Sequence, residues 1–381
     1  MILLKDVVRP SILKLKAYSS ARSLNSDLKN AVYLDANESA TAAELETGLA
    51  WEKTLNRYPR PQPEALLQKF SDIYNVDKNK ILITRGSDEA IDILTRATCE
   101  PKTDSILIMP PTYGMYEVSA DIQNSLTIEA PLVFKSTKSS MNDTAVDLNT
   151  KSDMNWVLDL DLIKNKIQNV KNLKIIYICS PNNPTGTVFS KEDIKKVLSF
   201  LSTSTLLVID QAYCEFSPEA SVIELLNDYP QLVILRTISK AWGLAGLRLG
   251  TLLGHPDLIS VLQKVRAPYP IPAPVIELAM VALSHAGFEE MQTRVEKTIK
   301  AREKLKSELL KLNSVVQIYP SSTNFLLVEF NNVSEVMDSM RVEKIILRDR
   351  SRQIKNTIRI TVGTIAENEQ VIQCLKNLEL L

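Results

Sequence analysis

The chain has 381 residues and a formal net charge of zero, with 45 Lys and Arg against 45 Asp and Glu. It is long enough to bury a sizeable core and has no electrostatic bias toward nucleic acid or an anionic membrane. Cys99, Cys179, Cys214 and Cys374 stand singly, and His255 and His285 are the only histidines, so reduced thiols and no metal site are expected.

Residues 1–6 stop being apolar too soon for a signal peptide, and no run approaches the roughly 18 apolar residues of a membrane span. A cytoplasmic protein without a membrane partner is expected. Residues 1–30 are polar and mixed and read as an arm, whose Tyr18 and Arg22 could reach a site. Three prolines in Asn56-Arg57-Tyr58-Pro59-Arg60-Pro61-Gln62-Pro63 forbid regular helix and predict a stiff extended loop. A helix over 64–74, a strand over 81–84 and a helix opened by Gly86-Ser87-Asp88-Glu89 follow.

Apolar runs at 106–109, 175–179, 206–209 and 232–235 then alternate with helical patterns such as 191–201. Continuous apolar strands are buried on both faces, which predicts an α/β fold with a mostly parallel sheet flanked by helices. The stretch 135–153 turns to Ser, Thr, Lys, Asn and Asp and reads as a long surface excursion. A further strand is expected over 249–253. Pro268, Pro270, Pro272 and Pro274 are read as a junction, so the large domain is placed at 31–267 and a smaller α+β domain at 268–381. In the latter, a charged amphipathic helix over 288–311 leads to strands near 315–318, 325–330, 345 and 358, and to helices at 333–340 and the carboxyl end.

Open α/β sheets bind ligands beyond the carboxyl ends of their strands, and the chemically suggestive residues fall at such ends. Gly86-Ser87-Asp88 offers backbone N–H groups and a hydroxyl to an anion at a helix start, or is an ordinary helix cap. Ser180-Pro181-Asn182-Asn183-Pro184-Thr185-Gly186 fixes an amide, or is a plain turn. Asp210 is a carboxylate after a buried strand and needs a cation, which an Arg, a Lys or a protonated pyridine nitrogen would supply. Lys240, in Thr237-Ile238-Ser239-Lys240-Ala241-Trp242-Gly243, is a surface lysine or a partly desolvated amine suited to Schiff-base chemistry. With the hydroxyls beside it and Arg248 beyond, the set outlines pyridoxal phosphate.

The motifs NRYPRPQP, TRGSDEAID, PPTYGMYEVSA, CSPNNPTG, DQAYCEF, LRTISKAWGLAGLRLG, ILRDRS and RITVGT resemble, in order and spacing, those of the histidinol-phosphate aminotransferases. That resemblance implies an aspartate-aminotransferase-like fold, with the arm 1–30 packing on the small domain, and a pyridoxal 5'-phosphate-dependent homodimer. It implies amino-group transfer between L-histidinol phosphate and 2-oxoglutarate in histidine biosynthesis. Aromatic amino-acid aminotransferases and phospho-amino-acid decarboxylases of the same fold remain alternatives. Carried over, Lys240, Asp210 and Tyr213 are catalytic. Ser87, Asp88, Tyr113, Asn183, Asp210, Tyr213, Ser239, Lys240 and Arg248 hold the cofactor, with Tyr58 from a second subunit. Tyr18, Asn37, Arg348 and Arg359 meet substrate. The chain departs from the family pattern at Gln211, where glutamate is common, and at Asn37-Glu38-Ser39-Ala40.

Overall fold

The computed structural model describes residues 32–35, 37–41, 58–136 and 154–380. The expected arm, Tyr18 and residues 137–153 of the polar excursion lie outside them. In chain order, a short strand β1 (Val32–Tyr33) precedes helix α1 (Glu64–Tyr74), β2 (Ile81–Thr84) and α2 (Gly86–Thr98). There follow β3 (Ser105–Ile108), α3 (Met115–Gln123) and β4 (Leu126–Glu129), then β5 (Val133–Ser136) and β6 (Met154–Val157), which pair as an antiparallel ribbon. Helix α4 (Leu160–Asn169), β7 (Leu173–Cys179), α5 (Lys191–Phe200), β8 (Leu206–Asp210), β9 (Leu232–Thr237) and β10 (Gly250–Leu253) continue the alternation.

Seven of these strands form one sheet in the order β2-β10-β9-β8-β7-β3-β4. Strand β10 runs antiparallel to both neighbours, and the other pairs are parallel. The apolar runs are explained by what covers them. Leu107, Ile176, Ile178, Leu207, Ile209, Leu232 and Ile234 enter one buried cluster, while Ile106, Ile108, Tyr177, Val208, Val233 and Leu235 enter another. Successive strand residues point to opposite faces, so each face has its own core and neither parity is left for polar residues.

The remaining chain carries α6 (Pro256–Val265), α7 (Ala273–Ala282) and the 25-residue α8 (His285–Leu309). After these come β11 (Val315–Ile318), β12 (Phe325–Phe330), α9 (Val333–Val342), β13 (Ile345–Ile346), β14 (Arg348–Asp349), β15 (Thr357–Thr361) and α10 (Ile365–Leu378). A four-stranded antiparallel sheet, β11-β12-β15-β14, packs α8, α9 and α10 around a second core built on Leu309, Leu326, Val328, Ile358 and Val371.

The buried clusters bear on the proposed division of the chain. Residue 268 does not separate the cores, because Ile271, Ala279 and Ala282, with Met291 and Val295 of α8, lie in the cluster of the large sheet. The small-sheet cluster takes up the chain at Leu305. The physical reason is that Pro272 caps α7 and Pro274 lies in its first turn, where proline is compatible with helix, so the proline run marks a helix start. Residues 32–34, within the range proposed for the large domain, also contact elements of the small sheet region. Strand β1 pairs parallel with β13, and Leu34 is buried in the small-sheet cluster. We place the change of core inside α8, a helix about 37 Å long.

Candidate active site

The carboxyl ends of β7, β8 and β9 open into a cavity of about 330 Å³ lined by Cys179, Asp210 and Thr237 from those ends. Ser87, Asp88, Tyr113, Asn183, Tyr213, Ser239, Lys240 and Arg248 line it from the large domain, and Asn37, Arg348 and Arg359 from the segments of the small sheet. Two expected residues are not in the lining. Tyr18 lies outside the described residues, and Tyr58 stands away from it, 81% exposed and stacked on Tyr269 with ring centroids 4.5 Å apart.

Asp210 ends a strand whose other residues make it a core element, and it is itself 2% exposed. Its carboxylate accepts a hydrogen bond from the Tyr116 hydroxyl at 2.8 Å and from the Ala212 amide at 3.2 Å. Neither donor is a cation, and burial pushes the carboxyl up to about 6. Tyr116 is fixed in turn by stacking on Tyr177 at 4.5 Å. Across the cavity Lys240 follows β9, with its Nζ 6.0 Å from the Tyr213 ring centroid. Burial, and secondly the Arg359 guanidinium, pull this amine down to about 8. A lysine so shifted is neutral in about a tenth of molecules at pH 7, far more than an ordinary lysine, and the neutral form is what an attacking amine requires.

The two domains meet at Tyr213. Its hydroxyl accepts from the Asn37 amide at 2.9 Å and lies 3.5 Å from the Asn183 amide. Burial pushes this phenol up to about 12. The Asn183 carbonyl oxygen accepts from Arg359 at 2.6 Å, and Arg359 also donates to the Asp35 carbonyl at 2.6 Å. Asn37 is held from the small sheet, since its N–H donates to the Thr361 hydroxyl at 3.0 Å.

At the opposite end, α2 begins at Gly86 and points its first turn into the cavity. Asp88 in that turn accepts from the Tyr113 hydroxyl at 2.9 Å and from Arg248 at 3.3 Å. The Thr237 hydroxyl donates to the Ser239 hydroxyl at 2.8 Å. Arg248 adopts φ 52, a conformation non-glycine residues rarely take, and Gly86 adopts φ +77. A Cβ built on Gly86 would stand 2.9 Å from Arg248 Nη2, so the close approach of the guanidinium to the helix start requires glycine there.

The donor set fits pyridoxal phosphate at both ends. A helix N-terminus, the Ser87 and Ser239 hydroxyls and Arg248 suit the phosphate. A buried carboxylate lacking a cation suits a protonated ring nitrogen, and a depressed lysine suits the carbonyl carbon. Residues that the sequence reading did not assign also stand here. Tyr116 holds Asp210, Thr237 holds Ser239, and Asp35, Glu38 and Arg350 also line the cavity. Tyr116 stands in the first turn of α3 while Tyr113 precedes that helix, and Arg350 lies two positions beyond Arg348 on an extended segment, so only Arg350 carried a periodic signal.

Residues 27–375 match the family model described as aminotransferase class I and II. The chain is similar to histidinol-phosphate aminotransferase 1 of Haemophilus influenzae (strain 86-028NP), 40% identical over 97% of this chain and 98% of that protein. It is equally similar to the histidinol-phosphate aminotransferase of Escherichia coli O9:H4 (strain HS), 40% identical over 98% of each. Among solved structures, the histidinol-phosphate aminotransferase of Sinorhizobium meliloti in complex with pyridoxal-5'-phosphate superposes with a TM-score of 0.83 at 22% identity, covering 100% of this chain and 99% of that one.

Proposed function

The chain belongs to the aminotransferase class I and II family, and we propose that within it the protein transfers the amino group reversibly between L-histidinol phosphate and 2-oxoglutarate, giving imidazole-acetol phosphate and L-glutamate in histidine biosynthesis. The observation that carries this reading is 40% identity, over nearly the full length of both chains, to proteins that bear that name. The arrangement of Lys240, Asp210 and the arginines in one cavity supports it.

Pyridoxal phosphate, when bound, supplies the electron sink for breaking the substrate's α C–H bond and carries the amino group between half-reactions. The residues of the chain do the rest. Ser87, the α2 N-terminus, Ser239 and Arg248 hold the phosphate end, and Tyr113 flanks the ring. Asp210 stays ionised once a cation faces it and so keeps the ring nitrogen protonated, with Tyr116 fixing the carboxylate's orientation. Tyr213 and Asn183 hold the ring hydroxyl. The Lys240 amine, kept partly neutral by burial, takes the α proton as general base and returns it as general acid. Arg359 and Arg348, with Asn37 and Tyr18, receive the substrate's charged and polar groups, because a guanidinium fork binds phosphate or carboxylate equally well in geometry.

Tyr58 serves the site of a second subunit in a homodimer. Its exposure, its absence from the lining of its own cavity and its seat on the proline loop support this. Arg266 braces that loop by donating to Pro61 O and Ile83 O, each at 2.8 Å. No helix among the described residues is long and apolar enough to cross a membrane, and the reaction's substrates are small and water-soluble, which supports a cytoplasmic enzyme. The test offers histidinol phosphate, glutamate and phenylalanine separately to the cofactor-loaded protein and follows the cofactor spectrum. Rapid conversion by histidinol phosphate and by glutamate is expected. Conversion by phenylalanine but not by histidinol phosphate, or release of carbon dioxide from a phosphorylated amino acid, would replace this substrate assignment.

A further inference from the structure

Arg350 falls in the ILRDRS motif but was assigned no role there, and it lines the cavity. Alternation along an extended chain puts Arg348 and Arg350 on one face and Asp349 on the other, in keeping with an exposed Asp349 between two partly buried arginines. Arg348 stands directly opposite Arg359 in antiparallel register. The Arg350 N–H donates to Thr357 O at 2.9 Å, so residue 350 continues the ladder one step further on the same face. All three arginines line the cavity that holds Lys240.

Like charges facing each other across a strand pair destabilise it, and here a third cation is added beside two. Among the described residues, Asp88 in the lining is engaged by Arg248 and Tyr113, and Asp210 by Tyr116 and the Ala212 amide. Arg348, Arg350 and Arg359 thus bring three guanidinium groups to one side of the cavity, which offers an anion more than one fork.

We propose that Arg350 is a specificity-determining residue that joins Arg348 on the distal anion of the substrate and gives a phosphate monoester preference over a distal carboxylate. The inference rests on the function assigned above and deepens it. A phosphate monoester carries about −1.5 to −2 charges near neutral pH and three acceptor oxygens. One guanidinium fork already satisfies a carboxylate in a bidentate way, so a second fork is used in full only by the phosphate.

The experiment compares Arg350→Gln and Arg350→Lys with the parent holoenzyme in the separate half-reactions of histidinol phosphate and glutamate, and measures methyl phosphate binding by calorimetry. For Arg350→Gln, the ratio of kcat/KM for histidinol phosphate to that for glutamate should fall about tenfold or more, chiefly through KM, since a charge-assisted hydrogen bond is worth at least that factor. Methyl phosphate should bind about tenfold more weakly, and Arg350→Lys should recover part of both losses. Equal losses on the two substrates, or unchanged methyl phosphate binding, would overturn the role of Arg350. A parent enzyme that ignores histidinol phosphate yet binds methyl phosphate through Arg350 would instead overturn the substrate assignment.

Discussion

Asp210 is held at a cost that the cofactor-free protein bears alone. Burial pushes its carboxyl up to about 6 from an ordinary 3.8, so between those values the folded state binds more protons than the unfolded. The sign follows: this group's contribution is fully present below about pH 4 and is lost as pH rises through 6. At 1.36 kcal/mol per unit, the loss by pH 8 is about 3 kcal/mol. Asp210→Asn removes the charge, keeps one oxygen to accept from the Ala212 amide, and places an NH2 that can donate to the Tyr116 hydroxyl oxygen in place of the bond it loses. The cofactor-free variant should therefore be more stable than its parent at pH 8 by up to about 3 kcal/mol, with the gap closing toward pH 4, while transamination is lost. Denaturant unfolding at the two pH values checks this, and an equal gap at both would contradict it. The need of Asp210 for a cation was legible from its position after an apolar strand. Its bond from Tyr116 was not, because the two residues are 94 positions apart and only the parallel sheet brings them together.

Helix α2 shows how one glycine sets a binding element. At φ +77 an alanine at 86 is strained by about 1–2 kcal/mol, and its methyl meets the Arg248 guanidinium at 2.9 Å. Gly86→Ala should lower stability by about that amount and weaken cofactor binding further by displacing Arg248 from the helix start. Gly114→Ala, where a Cβ meets nothing within 4 Å, serves as the stability control. Equal cofactor affinity in the Gly86→Ala protein and its parent would show that the approach of Arg248 does not matter. Strands β7, β8 and β9 were readable within a residue or two because both of their faces are buried, so each holds an apolar run of four or more residues. Residues 32–34 gave no such signal. Their pairing with β13 uses backbone groups from the far end of the chain, which no local pattern records. The proline run at 268–274 was visible but carries two meanings, since proline opens α7 as readily as it marks a domain junction.

At the scale of the molecule, two cores share the helix α8, and the cavity lies where their residues interlock through Arg359, Asn183, Asn37 and Tyr213. In the proposed homodimer, a second copy of the chain would contribute Tyr58. Neither Tyr58→Ala nor Lys240→Ala homodimers should be competent, but a mixed dimer would contain one intact site. Mixing the two inactive proteins should restore part of the activity, and no recovery in demonstrably mixed dimers would place Tyr58 within its own chain's machinery. The central claim, amino transfer through Lys240, is tested most directly with isotope. The holoenzyme is given L-histidinol phosphate carrying nitrogen-15 in its amino group together with 2-oxoglutarate, and the glutamate formed is analysed for the label, in the parent protein and in Lys240→Ala. The account expects labelled glutamate from the parent and a near-complete loss of it in the variant. Unlabelled glutamate, or labelled glutamate formed as fast without Lys240, would contradict it.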